Sequence, residues 1–125
     1  MIEMNKKIGE MTVAGLSIAS KIFLERNNIS EQKLARFSLD IYFPEDKVAF
    51  EYDGPDHYDK VANHERDLRK NALCQEQGIR LVRWPYYFQL TKDVARYVFL
   101  NNYSDEKYKV AIDAVYGTRN ENEIL

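Results

Sequence analysis

The chain has 125 residues, a formal net charge of −2 and a pI near 5.7, with 45% hydrophobic and 13% aromatic residues. That is about one domain with enough apolar side chains for a core, which excludes a disordered polymer, and its charge excludes a globally basic nucleic-acid coat. Cys74 is the one cysteine, so an intramolecular disulfide and a cysteine-rich zinc site are excluded too. No apolar run has the length of a membrane span, and Glu3 and Glu10 interrupt the N-terminal stretch, so neither a spanning helix nor a signal peptide is expected and a cytoplasmic setting follows by default.

In chain order, residues 10–26 read as a helix through Met11, Ala14, Ile18 and Ile22, with Gly15 as a point where it breaks or bends. Residues 37–43 and 48–53 alternate apolar and polar side chains with the period of a strand, and Pro44-Glu-Asp-Lys47 between them is turn chemistry. A four-residue loop sets 43 against 48. Counting back in antiparallel register then places Asp40 across from Glu51 and Ser38 across from Asp53, so three carboxylates share one face. Like charges opposed in a hairpin destabilise it, by about 4 kcal/mol for a pair ~4 Å apart at an effective dielectric of 20. A divalent cation with oxygen ligands removes that cost. On this reasoning, truncating Asp40 or Glu51 to Ala leaves the fold intact or more stable.

Gly54-Pro55 demands a sharp turn just before His57, a candidate for orienting or deprotonating water. Residues 63–77 lack Pro and Gly and read as a helix ended by Gly78, crossing over to a strand at 79–84. On that helix Asp67, Lys70, Asn71 and Cys74 lie along one side. Cys74 is expected to be buried beside the sheet. Pro85 is expected to stop the strand, and Tyr86-Tyr-Phe88 after it either stacks on bases or, as is commoner, packs into a core or interface. Thr91 is a candidate N-cap for a helix through Asn101, and residues 105–116 form another that ends at Gly117. The tail, 118–125, is polar and expected to fray, leaving one domain over 1–117.

The ordered series Asp40, apolar-apolar-Glu51-x-Asp53-Gly54-x-x-His57, then Asp67-x-x-Lys70-x-x-x-Cys74-x-x-x-Gly78-Ile-Arg-Leu-Val-Arg83 resembles the PD-(D/E)XK nuclease superfamily, and within it the very-short-patch-repair-like and DUF559-type endonuclease domains. The resemblance covers residues 34 to 84. It implies an α/β fold with a restriction-endonuclease-like core: helix, antiparallel hairpin strands, crossover helix and strand, followed by C-terminal helices. It implies a metal-dependent endodeoxyribonuclease in which Asp40 and Glu51, helped by the Tyr52 carbonyl, bind magnesium or manganese, with Asp53 as ligand or water orienter. The superfamily's usual Lys two positions after the Glu is Asp53 here, so Lys70 on the helix is the candidate substitute. The opening helix of such a core often carries a further acid, for which Glu10 is the first equivalent and Glu25 the second.

Candidate DNA-phosphate contacts are Lys33, Arg36, Arg66, Arg69, Arg80 and Arg83. No sequence-reading module is present, so specificity is expected from loops, from a homo-oligomer or from a partner protein that presents the DNA. The rival reading is a noncatalytic nucleic-acid-binding or protein-interaction domain that keeps the nuclease fold. A hydrolase of smaller phosphate esters ranks last, because no nucleotide-binding glycine loop is present.

Overall fold

A computed structural model of the protein describes residues 9–27, 30–34, 37–55 and 61–117, with backbone alone at 30–34, 37–38 and 61–63. These residues form a mixed α/β structure in two compact units, one drawn from 27–86 and the other from 1–26 together with 87–125. The tail at 118–125 lies outside the described residues.

The first unit is a four-stranded sheet in the order β1 (Ser30–Leu34), β2 (Phe37–Phe43), β3 (Val48–Asp53), β4 (Arg80–Pro85). Strands β1 to β3 are antiparallel, and β3 pairs with β4 in parallel. The expected hairpin is present with the expected register: Phe43 pairs with Val48, Tyr42 with Ala49 and Ile41 with Phe50. Its turn is closed by Lys47 in the left-handed region, at φ 53°. Strand β1 was not anticipated, because Ser-Glu-Gln-Lys-Leu has no apolar alternation; a polar strand at a sheet edge is one that resists pairing with other chains.

The register of β1 on β2 shifts between Ser30, opposite Tyr42, and Gln32, opposite Leu39. One extra residue on β2 is therefore accommodated around Asp40 and Ile41, as in a β-bulge. Leu39 and Tyr42, which strict alternation would put on opposite faces, consequently share one buried cluster with Ala49, Cys74 and Ile79. Cys74, 1% exposed, sits beside the sheet as expected.

The crossover helix α2 (Val61–Glu76) ends on a Schellman motif. The Ile79 amide donates to the Cys74 carbonyl at 2.8 Å and the Gly78 amide to the Gln75 carbonyl at 3.1 Å, with Gly78 at φ 73°. Strand β4 then runs one residue further than expected. Pro85 is its last member, opposite Asp53, and β4 is an edge strand, where a missing N–H costs no ladder bond.

The second unit contains α1 (Val13–Leu24), α3 (Lys92–Phe99), a single 3-10 turn (Leu100–Asn102) and α4 (Asp105–Tyr116). The Thr12, Thr91 and Ser104 hydroxyls accept from the Gly15, Val94 and Lys107 amides, so each helix opens on a side-chain cap. Gly15 does not break α1. It is buried, and a Cβ there would stand 3.2 Å from Val115 of α4 and 3.0 Å from the Met11 sulfur, so glycine serves close helix packing. Phe23 stacks on Phe99 with centroids 4.3 Å apart. Among the described residues no helix is long and apolar enough to cross a membrane.

Candidate active site

The sheet and α2 build the site from three directions. Strand β3 carries Glu51 and Asp53, two residues apart and therefore on one face, and both are buried. Strand β2 brings Asp40, which is exposed, to the same end of the hairpin. Beyond the Ile41–Phe50 pair, side chains stand in for ladder partners: the Asp40 amide donates to Glu51 Oε2 at 2.7 Å, and the Tyr52 amide donates to Asp40 Oδ2 at 2.9 Å. Each carboxylate thus accepts from a backbone amide of the facing strand, and the expected charge repulsion is offset by two charge-assisted bonds.

Helix α2 supplies the third direction. Lys70 Nζ donates to Glu51 Oε1 at 2.6 Å, with the two side chains only 11% and 8% exposed. The lysine proposed from sequence as the substitute cation therefore reaches the central carboxylate. Burial nonetheless holds the Glu51 carboxyl above its ordinary value; bonds from Lys70 and the Asp40 amide oppose that shift, and the nearby Asp40 charge reinforces it. The same desolvation, with Glu51 close by, raises the Cys74 thiol.

Asp53 is held differently from the expectation of a third carboxylate on a shared face. Arg83, which faces Glu51 in the parallel register of β4 on β3, sends its guanidinium to Asp53 Oδ1 and to Asp67 Oδ1, each at 3.5 Å. It also donates to the Asp67 carbonyl at 3.4 Å and to Asn71 Oδ1 at 2.9 Å. Arg83 was expected on the DNA, whereas its guanidinium is engaged in this internal network. Arg66, Arg69 and Arg80 are exposed, as phosphate contacts would be. Among the described residues no group of three or more His, Cys, Asp and Glu side chains is arranged to hold a metal ion.

His57 and Arg36 lie outside the described residues, as does the side chain of Lys33. Glu10 and Glu25 belong to the helical unit. Glu25 binds Lys107 at 2.6 Å there, and Glu10 bridges to Gln89. The residues that sequence reasoning had not placed in the site are Asp67 and Asn71. Their signal was present in the Asp67-x-x-Lys70-Asn71 spacing, which sets all three on one side of α2.

No family model matches the chain, and no solved structure does. The chain is similar to the uncharacterized protein 094L of Frog virus 3 (isolate Goorha), at 38% identity over 72 residues that take in 48% of this chain and 44% of the viral protein. The match thus spans less than half of that relative's length.

Proposed function

We propose that the protein is a metal-dependent endodeoxyribonuclease built on a restriction-endonuclease-like core of the PD-(D/E)XK type. The observation that carries this reading is the Lys70–Glu51 contact of 2.6 Å beside Asp40, which unites an acid from each hairpin strand with a cation from the crossover helix. Phosphodiester hydrolysis needs a placed water, compensation of charge on the phosphorus oxygens and help for the departing oxygen. Asp40 and Glu51, with the Tyr52 carbonyl, would hold magnesium or manganese: hard oxygen donors suit both ions, and a buried carboxylate disfavoured by desolvation gains from a cation. Such an ion supplies charge at the phosphoryl oxygen and lowers the pKa of bound water. Lys70, steered by Glu51, presents positive charge where the superfamily's usual lysine would act, and Arg83 orients Asp53. His57 is the candidate proton carrier on sequence grounds.

DNA is the substrate class in this reading, with Arg66, Arg69 and Arg80 on its phosphates. An even-numbered assembly suits double-strand cutting, since each site cuts one strand. The test is incubation with supercoiled, linear, branched and single-stranded DNA in magnesium or manganese, with EDTA as control. Asp40→Asn serves as the inactive comparison, because it keeps an acceptor for the Tyr52 amide. Metal-dependent cutting lost in the variant supports the nuclease; DNA binding without cutting of any form overturns it.

One observation favours the noncatalytic reading. Lys70 already compensates Glu51, and Arg83 compensates Asp53, so the acids are tolerated without an added cation. Calorimetric titration with manganese separates the two readings, because a noncatalytic domain of this kind binds none at the site.

A further inference from the structure

We infer that Arg83 is a positioning residue that fixes the rotation of α2 and thereby delivers Lys70 to Glu51. The inference deepens the proposed nuclease site and rests on that reading for its catalytic meaning. Arg83 stands on β4 directly beside Glu51 in the sheet register, so its backbone belongs to the same rigid layer as the acid. Its guanidinium grips α2 at two positions one turn apart, Asp67 through carbonyl and carboxylate and Asn71 through its side-chain oxygen, which accepts from Nε at 3.3 Å and from a terminal nitrogen at 2.9 Å. Lys70 lies between these two in sequence and on the same side of the helix. The Nη1 that meets the Asp67 carboxylate also reaches Asp53, two residues beyond Glu51 on β3.

One planar group therefore ties strand to helix on either side of the Lys70–Glu51 contact. A rotation of α2 about its axis would break the contacts to Asp67 and Asn71 before it moved Lys70 away. Only arginine has the fork for this: five donors in fixed directions span three partners, whereas a lysine ammonium at the same place reaches fewer. The guanidinium side chain is 22% exposed, and Asp67 17%, so water competes weakly for these bonds.

The experiment compares wild type, Arg83→Gln and Arg83→Lys by the rate at which Lys70 is acylated by a water-soluble activated ester, whose alcohol group leaves, with modified lysines mapped by mass spectrometry. Far-ultraviolet circular dichroism of each variant reports loss of the whole helix. In Arg83→Gln, labelling of Lys70 is expected to rise roughly tenfold while the helical signal is unchanged, as in a local opening rather than global unfolding. Arg83→Lys is expected to restore part of the protection. Unchanged Lys70 labelling in a folded Arg83→Gln overturns the inference. If Arg83→Gln does not fold, Asn71→Ala decides by the same readout, since Asn71 is exposed and its truncation removes two of the clamp's bonds. Where wild type cuts DNA, Arg83→Gln is expected to lower kcat with KM held, and a rise in KM alone would instead make Arg83 a DNA contact. Absence of cutting in wild type refutes the nuclease and leaves the labelling result to decide the clamp.

Discussion

Asp40 and Glu51 are joined by a hydrogen bond from the backbone amide of the first to the carboxylate of the second, at 2.7 Å. Two acids that sequence counting set against each other as repelling charges are also a donor and its acceptor. On this geometry truncation of Glu51 is expected to cost stability rather than relieve strain. Glu51→Ala leaves the buried Lys70 ammonium and the Asp40 amide without that acceptor, and removing one partner of a buried ion pair costs about 3–5 kcal/mol. Denaturant unfolding is expected to show that loss. A midpoint equal to wild type would mean that α2 relaxes freely.

Asp40→Asn separates chemistry from folding. Its side-chain oxygen still accepts from the Tyr52 amide, so stability is expected to change by no more than about 1 kcal/mol while metal affinity and cutting are lost. The checks are a melting curve beside a manganese titration.

The Lys70–Glu51 pair is expected to behave as a coupled unit. Lys70→Met leaves the buried Glu51 carboxylate, and Glu51→Leu the buried Lys70 ammonium, without this partner, while the double variant removes both charges, so the two losses are expected to exceed the loss in the double variant by more than about 1 kcal/mol. A double-mutant cycle of unfolding free energies measures this directly; additivity would show that the contact contributes nothing beyond its parts.

The exposed arginines and the half-buried Arg83 are expected to differ in salt dependence. Arg66→Ala, Arg69→Ala and Arg80→Ala should each weaken DNA binding and reduce the slope of log affinity against log salt by about one. Arg83→Ala should leave that slope unchanged. Binding isotherms across a salt series distinguish the two classes.

The helical unit has its own pH limit. Tyr108 donates to the Leu90 carbonyl at 2.8 Å, and Tyr116 donates to the Gly9 carbonyl at 2.7 Å while accepting from the Leu90 amide. Burial raises both phenols above their ordinary value of 10.0, with a further small push on Tyr108 from Tyr116 and an opposing pull on Tyr116 from the Leu90 amide. The folded state therefore holds these protons more tightly than the unfolded chain. The resulting stability is complete below about pH 10 and is lost as pH rises through the folded values. Tyr116→Phe should be less stable at neutral pH by about 1 kcal/mol. Its alkaline decline should be shallower, as thermal melts from neutral to alkaline pH would register.

Local order dictated much of the outcome. Period-two alternation and the Pro44-Glu-Asp-Lys47 turn determined the hairpin and its register, the Gly78 stop determined the end of α2, and Thr91 opened α3 where its cap chemistry required. These features depend on residues a few positions apart, so a single chain displays them. Strand β1 was not legible, because its polar sequence becomes a strand only through the partner that β2 offers. The bulge at Asp40 and the sharing of Arg83 among Asp53, Asp67 and Asn71 were likewise decided in three dimensions. A charge in a sequence has a sign but no neighbour. Whether Arg83 meets a phosphate or a carboxylate, and whether Asp40 and Glu51 repel or bond, depends on the side-chain directions set by packing the crossover helix against the sheet.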